Sequence, residues 1–189
     1  MVLHPEIQKK AQAELDSVVG NDRFPVMTDR NELPYMDAII KETIRWSAVV
    51  PLGVPHALIE EDVYRGMRIP KGSTVIGNVW FVLGSSVTSS PSGKPYQLSN
   101  RSILHDPNVY EKPFEYIPER FLNTESPPVD PFTLAFGYGR RQCPGMEVAS
   151  TTAFLSMSTT LHSFDLLLPK DDKGNEVKPK IEWSHGLIL

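Results

Sequence analysis

The only cysteine of the chain, Cys143, sits in Phe136-Gly137-Tyr138-Gly139-Arg140-Arg141-Gln142-Cys143-Pro144-Gly145, and no other stretch limits the possible folds as strongly. Gly137, Gly139 and Gly145 allow tight turns and a close backbone approach to a flat ligand. Arg140 and Arg141 place positive charge beside the sulfur. A helix is predicted from about Met146, so the sulfur is expected near a helix N-terminus, where free N–H groups favour an anion. The competing reading is a free cysteine buried in a glycine-rich turn, a common fate for that residue.

The type of metal centre follows from what is missing. There is no CxxC spacing, no second cysteine and no histidine cluster, so the sulfur suits haem iron better than zinc. One supported sulfur suits an iron already held by a porphyrin, which needs a single axial thiolate. His4, His105, His162 and His185 have no metal-ligand spacing.

A second segment is Lys41-Glu42-Thr43-Ile44-Arg45. Met36, Ile39, Ile40 and Ile44 recur at helical spacing, which predicts a helix over about 33–46 with one apolar face. Glu42 and Arg45 are one turn apart and can meet on its surface. From these residues alone they read as a solvated ion pair of little energetic weight. A third segment is Pro118-Glu119-Arg120-Phe121.

Taken together and in this order, the three segments resemble cytochromes P450. Phe136, Gly139, Arg141, Cys143 and Gly145 fit the F-x-x-G-x-R-x-C-x-G loop, Glu42 and Arg45 fit E-x-x-R on the K helix, and residues 118–121 fit P-E-R-F. The style of Pro51 to His56 and of Gly186-Leu187-Ile188 resembles fungal, basidiomycete-like microsomal members of secondary or xenobiotic metabolism. The fold implied is mainly α with a small β domain (α+β), the C-terminal part of the cytochrome P450 fold.

The resemblance implies roles. Cys143 is the axial ligand of haem b (iron protoporphyrin IX), its thiolate favouring O–O cleavage. Phe136 packs near the sulfur, and Gly139 and Gly145 shape the loop. Arg141 pairs with a haem propionate. His56 falls where the family places a cation on the other propionate; a surface-loop histidine fits its residues equally. Glu42, Arg45 and Arg120 form a buried structural triad, tolerable only if the three charges satisfy one another. Val49, Val50, Leu52 and Val54 line the substrate cavity. Trp46, Trp80 and Trp183 read as core residues. The implied reaction is monooxygenation: one atom of O2 enters a small organic, apolar substrate, with electrons from NADPH through NADPH-cytochrome P450 reductase at the endoplasmic reticulum membrane.

Composition agrees with one globular unit and excludes several classes. The 189 residues are 40% hydrophobic and 22% charged, with a net charge of -4, which argues against a nucleic-acid binder. One cysteine cannot form an intramolecular disulfide. No run of about 18 apolar residues is present, so no membrane span is predicted. Met1-Val2-Leu3-His4-Pro5 is not a signal peptide.

The expected order is a partial domain over 1–189. A first helix covers Pro5 to about Val19, with Ile7, Ala11 and Leu15 on one face and Gly20 as its stop. The helix at about 33–46 follows, then a small β region at about 49–80. Within that region Val63 to Trp80 reads as a hairpin, with Pro70-Lys71-Gly72-Ser73 as a turn before Thr74-Val75-Ile76. A proline-rich meander spans about 106–135, and the cysteine loop spans 136–145. The last helix covers about 145–162, with Val148, Thr152 and Leu155 towards the haem or core. A final β region holds Ile181 to Leu189. Residues 81–102, rich in Ser, Gly and Pro, have no hydrophobic period and interrupt the family pattern before Ile103-Leu104-His105-Asp106-Pro107. They read as translated intron sequence, with a genuine surface loop as the alternative.

No acid–threonine helix precedes Glu42, although the family's I helix carries such a pair for proton delivery. Met1 is therefore expected to be an internal methionine of a longer protein or the start of a truncated gene model, and the chain alone is expected to be inactive. Two other readings stay open: a non-catalytic truncated product, or the same fold running peroxygenase, isomerase or nitric oxide reductase chemistry.

Overall fold

Pro5 opens helix α1 (Pro5–Val18), where its missing N–H costs nothing and its fixed φ already suits a helix. The computed structural model describes residues 1–50, 53–77, 103–122 and 125–181. By their contacts the residues divide into two compact units. The first comprises Met1–Thr43, Ile117–Pro128 and Pro144–Ser184; the second is built mainly from Ile44–Tyr116 and Val129–Cys143.

The first unit is helical. Helix α1 buries Ile7, Gln8, Ala11 and Leu15 and packs against α4 (Met146–Ser163). It ends at a glycine: Gly20 has φ +71, a conformation that releases the chain from the helix. Polar contacts fix the packing angle. Gln12 Nε2 donates to the carbonyls of Leu161 and Phe164 at 3.3 Å, and Gln8 Oε1 accepts from Leu166 N at 3.1 Å.

Helix α2 (Pro34–Trp46) starts with a proline, and the Glu14 carboxylate satisfies two of its first N–H groups, those of Tyr35 at 2.8 Å and Met36 at 2.9 Å. A negative charge there also complements the helix dipole. Met36, Ile39 and Ile40 are fully or almost fully buried. Arg30 joins α2 to α4: its Nη2 donates to Asp37 at 2.6 Å, its Nη1 to Ser150 at 2.8 Å, and its guanidinium lies over the Phe154 ring.

Helix α4 buries one face, and the stripe expected towards the haem or core is not part of it. Phe154, Ser158 and Leu161 are buried, whereas Val148 is 69% exposed, Thr152 is exposed and Leu155 is partly exposed. The two stripes lie about 120° apart around the helix. Because apolar residues occur all round α4, its periodicity cannot choose between them.

The second unit carries the strands, as two antiparallel pairs. Strand β1 (His56–Ala57) pairs with β4 (Thr74–Val75), and β2 (Asp62–Tyr64) pairs with β3 (Met67–Ile69). The expected hairpin thus divides. The true hairpin turn is Arg65-Gly66, with φ of 51 and 79, a two-residue turn of the kind whose twist suits an antiparallel pair. The Pro70 to Ser73 turn connects the two pairs, returning the chain so that β4 meets β1 and not β3. The fold class is α+β: helix-rich, with small antiparallel sheets. Among the described residues no helix is long and apolar enough to cross a membrane. Residues 81–102, Trp80, Trp183 and the expected strands beyond Ile181 lie outside the described residues.

Candidate functional site

Two charged residues on α2 are completely buried. Glu42 and Arg45 each have 0% exposure, which removes the surface-pair reading. In the first unit, Ile117 N donates to Glu42 Oε1 at 2.8 Å and Arg120 Nε donates to Glu42 Oε2 at 3.2 Å. The Arg120 side chain is only 9% exposed. The neighbouring Glu119 accepts from Lys10 Nζ at 2.6 Å and from Tyr35 Oη at 2.9 Å. Burial alone would raise the Glu119 carboxyl, but these bonds outweigh it and hold the group below its ordinary value.

In the second unit, Arg45 spreads its guanidinium over three carbonyls. Nη1 donates to Leu104 O at 2.9 Å and Pro113 O at 2.7 Å, and Nη2 donates to Glu115 O at 3.1 Å. Its charge also lies 5.4 Å from the centre of the Tyr110 ring. Trp46 Nε1 donates to Phe114 O at 3.2 Å, so this tryptophan, too, ties down the irregular chain around residues 104–116. An irregular segment has no ladder to satisfy its carbonyls, and a fork of five fixed donors is well suited to that task.

The cysteine loop follows in the same unit. Gly137 has φ +84, and a Cβ there would lie 3.5 Å from the Arg141 carbonyl oxygen. This position requires glycine on backbone grounds. Gly139 also has positive φ, at +57, and opens the short 3-10 turn Gly139–Arg141. Gly145 differs: its φ is -80, so the backbone there does not need a glycine, and it serves as the residue before α4. Cys143 N donates to Phe136 O at 2.7 Å, closing the loop on itself. Phe136 in turn stacks on Phe132, ring centres 5.4 Å apart.

Cys143 is exposed, and what it faces is a cavity of about 560 Å³. Val49, Val50, Val54, Ile44 and Val75 supply apolar lining to the same cavity. Val49 and Val54 are 59% and 70% exposed despite being apolar, as expected for residues that border a cavity and not a core. Leu52 lies outside the described residues. The polar groups on the lining are few: His56, Arg141 and the Tyr138 hydroxyl, which desolvation holds above the ordinary phenol value. A second cavity shares His56 and Arg141 with the first and adds Arg140.

The donor set tests which metal could be held. Among the described residues no group of three or more His, Cys, Asp or Glu could hold a bare ion. One sulfur beside a mostly apolar cavity of this size fits a metal that brings its own equatorial ligands, with polar residues at the edge for the macrocycle's carboxylates. The residues present fit a haem.

A sequence model of cytochrome P450 matches residues 1–86 and 91–187. The chain belongs to the cytochrome P450 family. Residues 87–90 and 188–189 lie outside that match. Curated relatives are fungal. The chain is 43% identical to cytochrome P450 monooxygenase claR of Ampulloclitocybe clavipes, over 100% of this chain and 32% of that protein. It is 42% identical to cytochrome P450 monooxygenase ple1 of Rhodocybe pseudopiperita, over 100% and 32%. It is 38% identical to cytochrome P450 monooxygenase COX1 of Coprinopsis cinerea, over 100% and 33%. The chain therefore spans about a third of the length of the curated relatives it matches. Their names place them among oxidoreductases.

Several lining residues of this P450 chain were not anticipated from sequence. Ile44 was assigned to an apolar helix face, with no hint that the face ends at a cavity. Gly77 and Tyr138 are neighbours across the lining: a Cβ on Gly77 would lie 3.6 Å from the Tyr138 ring. Gly77 follows β4, whose pairing with β1 differs from the expected hairpin.

Proposed function

We propose that this chain supplies the haem-thiolate half-site of a monooxygenase, with Cys143 as the axial ligand. The observation that carries the reading is a single sulfur facing an apolar cavity, in a loop closed by its own hydrogen bond. When bound, haem b would supply the activation of O2 at its iron; NADPH, through NADPH-cytochrome P450 reductase, would supply the electrons. The chain's own residues do the positioning. Gly137 and Gly139 hold the loop conformation that presents the sulfur, and Phe136 anchors the loop on Phe132. Arg141 and His56 offer donors to the macrocycle's carboxylates. Val49, Val50 and Val54, with Leu52 among the same valine-rich residues, favour a small organic, apolar substrate and exclude water.

Glu42, Arg45 and Arg120 act as a structural triad that holds the meander ahead of the cysteine loop. We place the whole enzyme at the endoplasmic reticulum membrane, as the family resemblance implies. Residues 81–102 are read as retained intron sequence. The 189 residues alone are proposed to be inactive, since no acid–threonine helix precedes Glu42 within them.

The test is a chimaera in which this chain replaces the matched third of the Ampulloclitocybe clavipes relative. Its ferrous–CO complex is expected to show the red-shifted Soret band of thiolate ligation, and Cys143→His is expected to abolish it. Survival of that band in the variant would remove Cys143 from the iron.

A further inference from the structure

Tyr35 and Tyr110 are both buried, and each uses its hydroxyl in a hydrogen bond, but to different ends. In the first unit, Tyr35 Oη donates to Glu119 at 2.9 Å. In the second, Tyr110 is 1% exposed and its Oη donates to the backbone carbonyl of Val129 at 2.8 Å, 19 residues further along the chain. The Arg45 guanidinium lies over the Tyr110 ring while it holds the carbonyls of Leu104 and Pro113 on either side in sequence. A buried phenol anchored in this way fixes the carbonyl it meets.

Val129 begins the stretch Val129–Cys143, which ends in the cysteine loop. Asp130 Oδ1 accepts from Phe132 N at 2.9 Å, and the carbonyls of Asp130 and Pro131 accept from the amides that follow, which starts the short helix α3 (Phe132–Ala135). Phe132 is 8% exposed and stacks on Phe136 with the two rings 5° from parallel. Phe136 O accepts from Cys143 N. Packed rings and short hydrogen bonds thus run from Arg45 to the amide of Cys143 inside one unit, and such contacts pass on a displacement instead of absorbing it. The loop has need of this support. Gly137 and Gly139 permit its conformation but, without a Cβ, leave it alternatives, so contacts outside the loop must select one.

We propose that Tyr110 is a positioning residue for Cys143: its hydroxyl fixes Val129 and, through α3 and the Phe132–Phe136 stack, sets where the sulfur stands for the iron. The inference rests on the haem-thiolate reading above and adds to it a residue that is not on the described lining of the cavity. Tyr110 favours the one loop arrangement in which the thiolate reaches the metal over those in which it is protonated or displaced.

The test uses the chimaera. Tyr110→Phe keeps the ring over Arg45 and removes only the hydroxyl. The ferrous–CO complex is formed with its red-shifted Soret band, and conversion of that band to the unshifted one of a lost thiolate is timed at a fixed, non-denaturing urea concentration. Tyr110→Phe is expected to convert about fivefold faster, the weight of one ordinary hydrogen bond. Tyr35→Phe removes a hydroxyl bond from the first unit and is expected to leave the rate unaltered. Phe132→Leu is expected to speed conversion too, and the double variant to be no faster than the faster single, because both substitutions cut one path. An unchanged rate in Tyr110→Phe, or an equal rise in Tyr35→Phe, overturns the proposal, and rates that multiply in the double variant overturn the route through Phe132. If Tyr110→Phe takes up no haem, urea unfolding of the cofactor-free forms decides: a midpoint matching that of Tyr35→Phe supports positioning, and one far below it leaves a purely structural tyrosine and overturns the proposal. If the unaltered chimaera never shows the red-shifted band, it is the haem-thiolate reading that fails.

Discussion

The buried arginine at the end of α2 and the arginines of the cysteine loop are the same residue type in opposite circumstances. Arg45 is fully buried and donates to three carbonyls within its own unit. Arg140 and Arg141 are exposed, border a cavity, and have no partner among the described residues. The first arrangement satisfies the charge inside the protein, so removing it should damage the fold. The second leaves the charge for something the protein binds, so removing it should damage binding and spare the fold. Burial with complete hydrogen bonding thus marks a structural cation, and a concave wall without a counter-charge marks a functional one.

The largest effect is expected at the structural end. Arg45→Ala leaves the carbonyls of Leu104, Pro113 and Glu115 buried without this donor, and should cost about 3–5 kcal/mol. Urea unfolding of the cofactor-free chimaera measures it, and haem incorporation should fall with the fold. A loss below about 1 kcal/mol would mean that water replaces the guanidinium, and that the contrast between the two regions is one of exposure only.

The next effect is a pH dependence from the same region. His105 is 3% exposed and stacks against Phe114. Desolvation by burial, with the nearby Arg45 charge, lowers its pKa to about 3. An unfolded histidine titrates near 6.5, so below that pH the unfolded chain binds a proton that the folded chain refuses. Stability is therefore complete above about pH 6.5 and is lost progressively as pH falls towards 3, amounting to about 2 kcal/mol by pH 5. His105→Phe should flatten this part of the stability–pH curve. An unchanged slope would place a charged imidazole in the folded state and contradict the burial of this region.

How legible these regions were in the sequence depends on how local their causes are. The extents of α1 and α2 could be read because apolar spacing, a proline at each start and Gly20 all act within a few residues. The cysteine loop could be read because Gly137 and Gly139 answer a backbone need that only glycine meets cheaply. The buried state of Glu42 and Arg45 could not: spacing alone describes a surface pair, and only the motif resemblance suggested otherwise. Nor could the partner of β4 or the packed face of α4. The pairing of Val75 with His56 is non-local, and α4 offers apolar residues on every side. Arg140 was visible only as charge near a sulfur, because its shared cavity depends on where residues 55–59 run.

The smallest effect is the most discriminating. In the cofactor-free chimaera, Arg141→Gln should change unfolding stability by no more than about 0.5 kcal/mol, as for surface substitutions that break no internal contact. It removes one of two like charges bordering the second cavity, so any shift should be towards greater stability. The same substitution should weaken retention of haem b. The two regions would then be separated by sign as well as size: Arg45→Ala lowers stability with or without cofactor, whereas Arg141→Gln lowers it only when the cofactor is present. A destabilisation of the cofactor-free protein comparable to that of Arg45→Ala would show that Arg141 is held by the protein itself. Its lack of a partner among the described residues would then have no bearing on ligand binding, and charge accounting around residues 139–141 would have to include the chain beyond them.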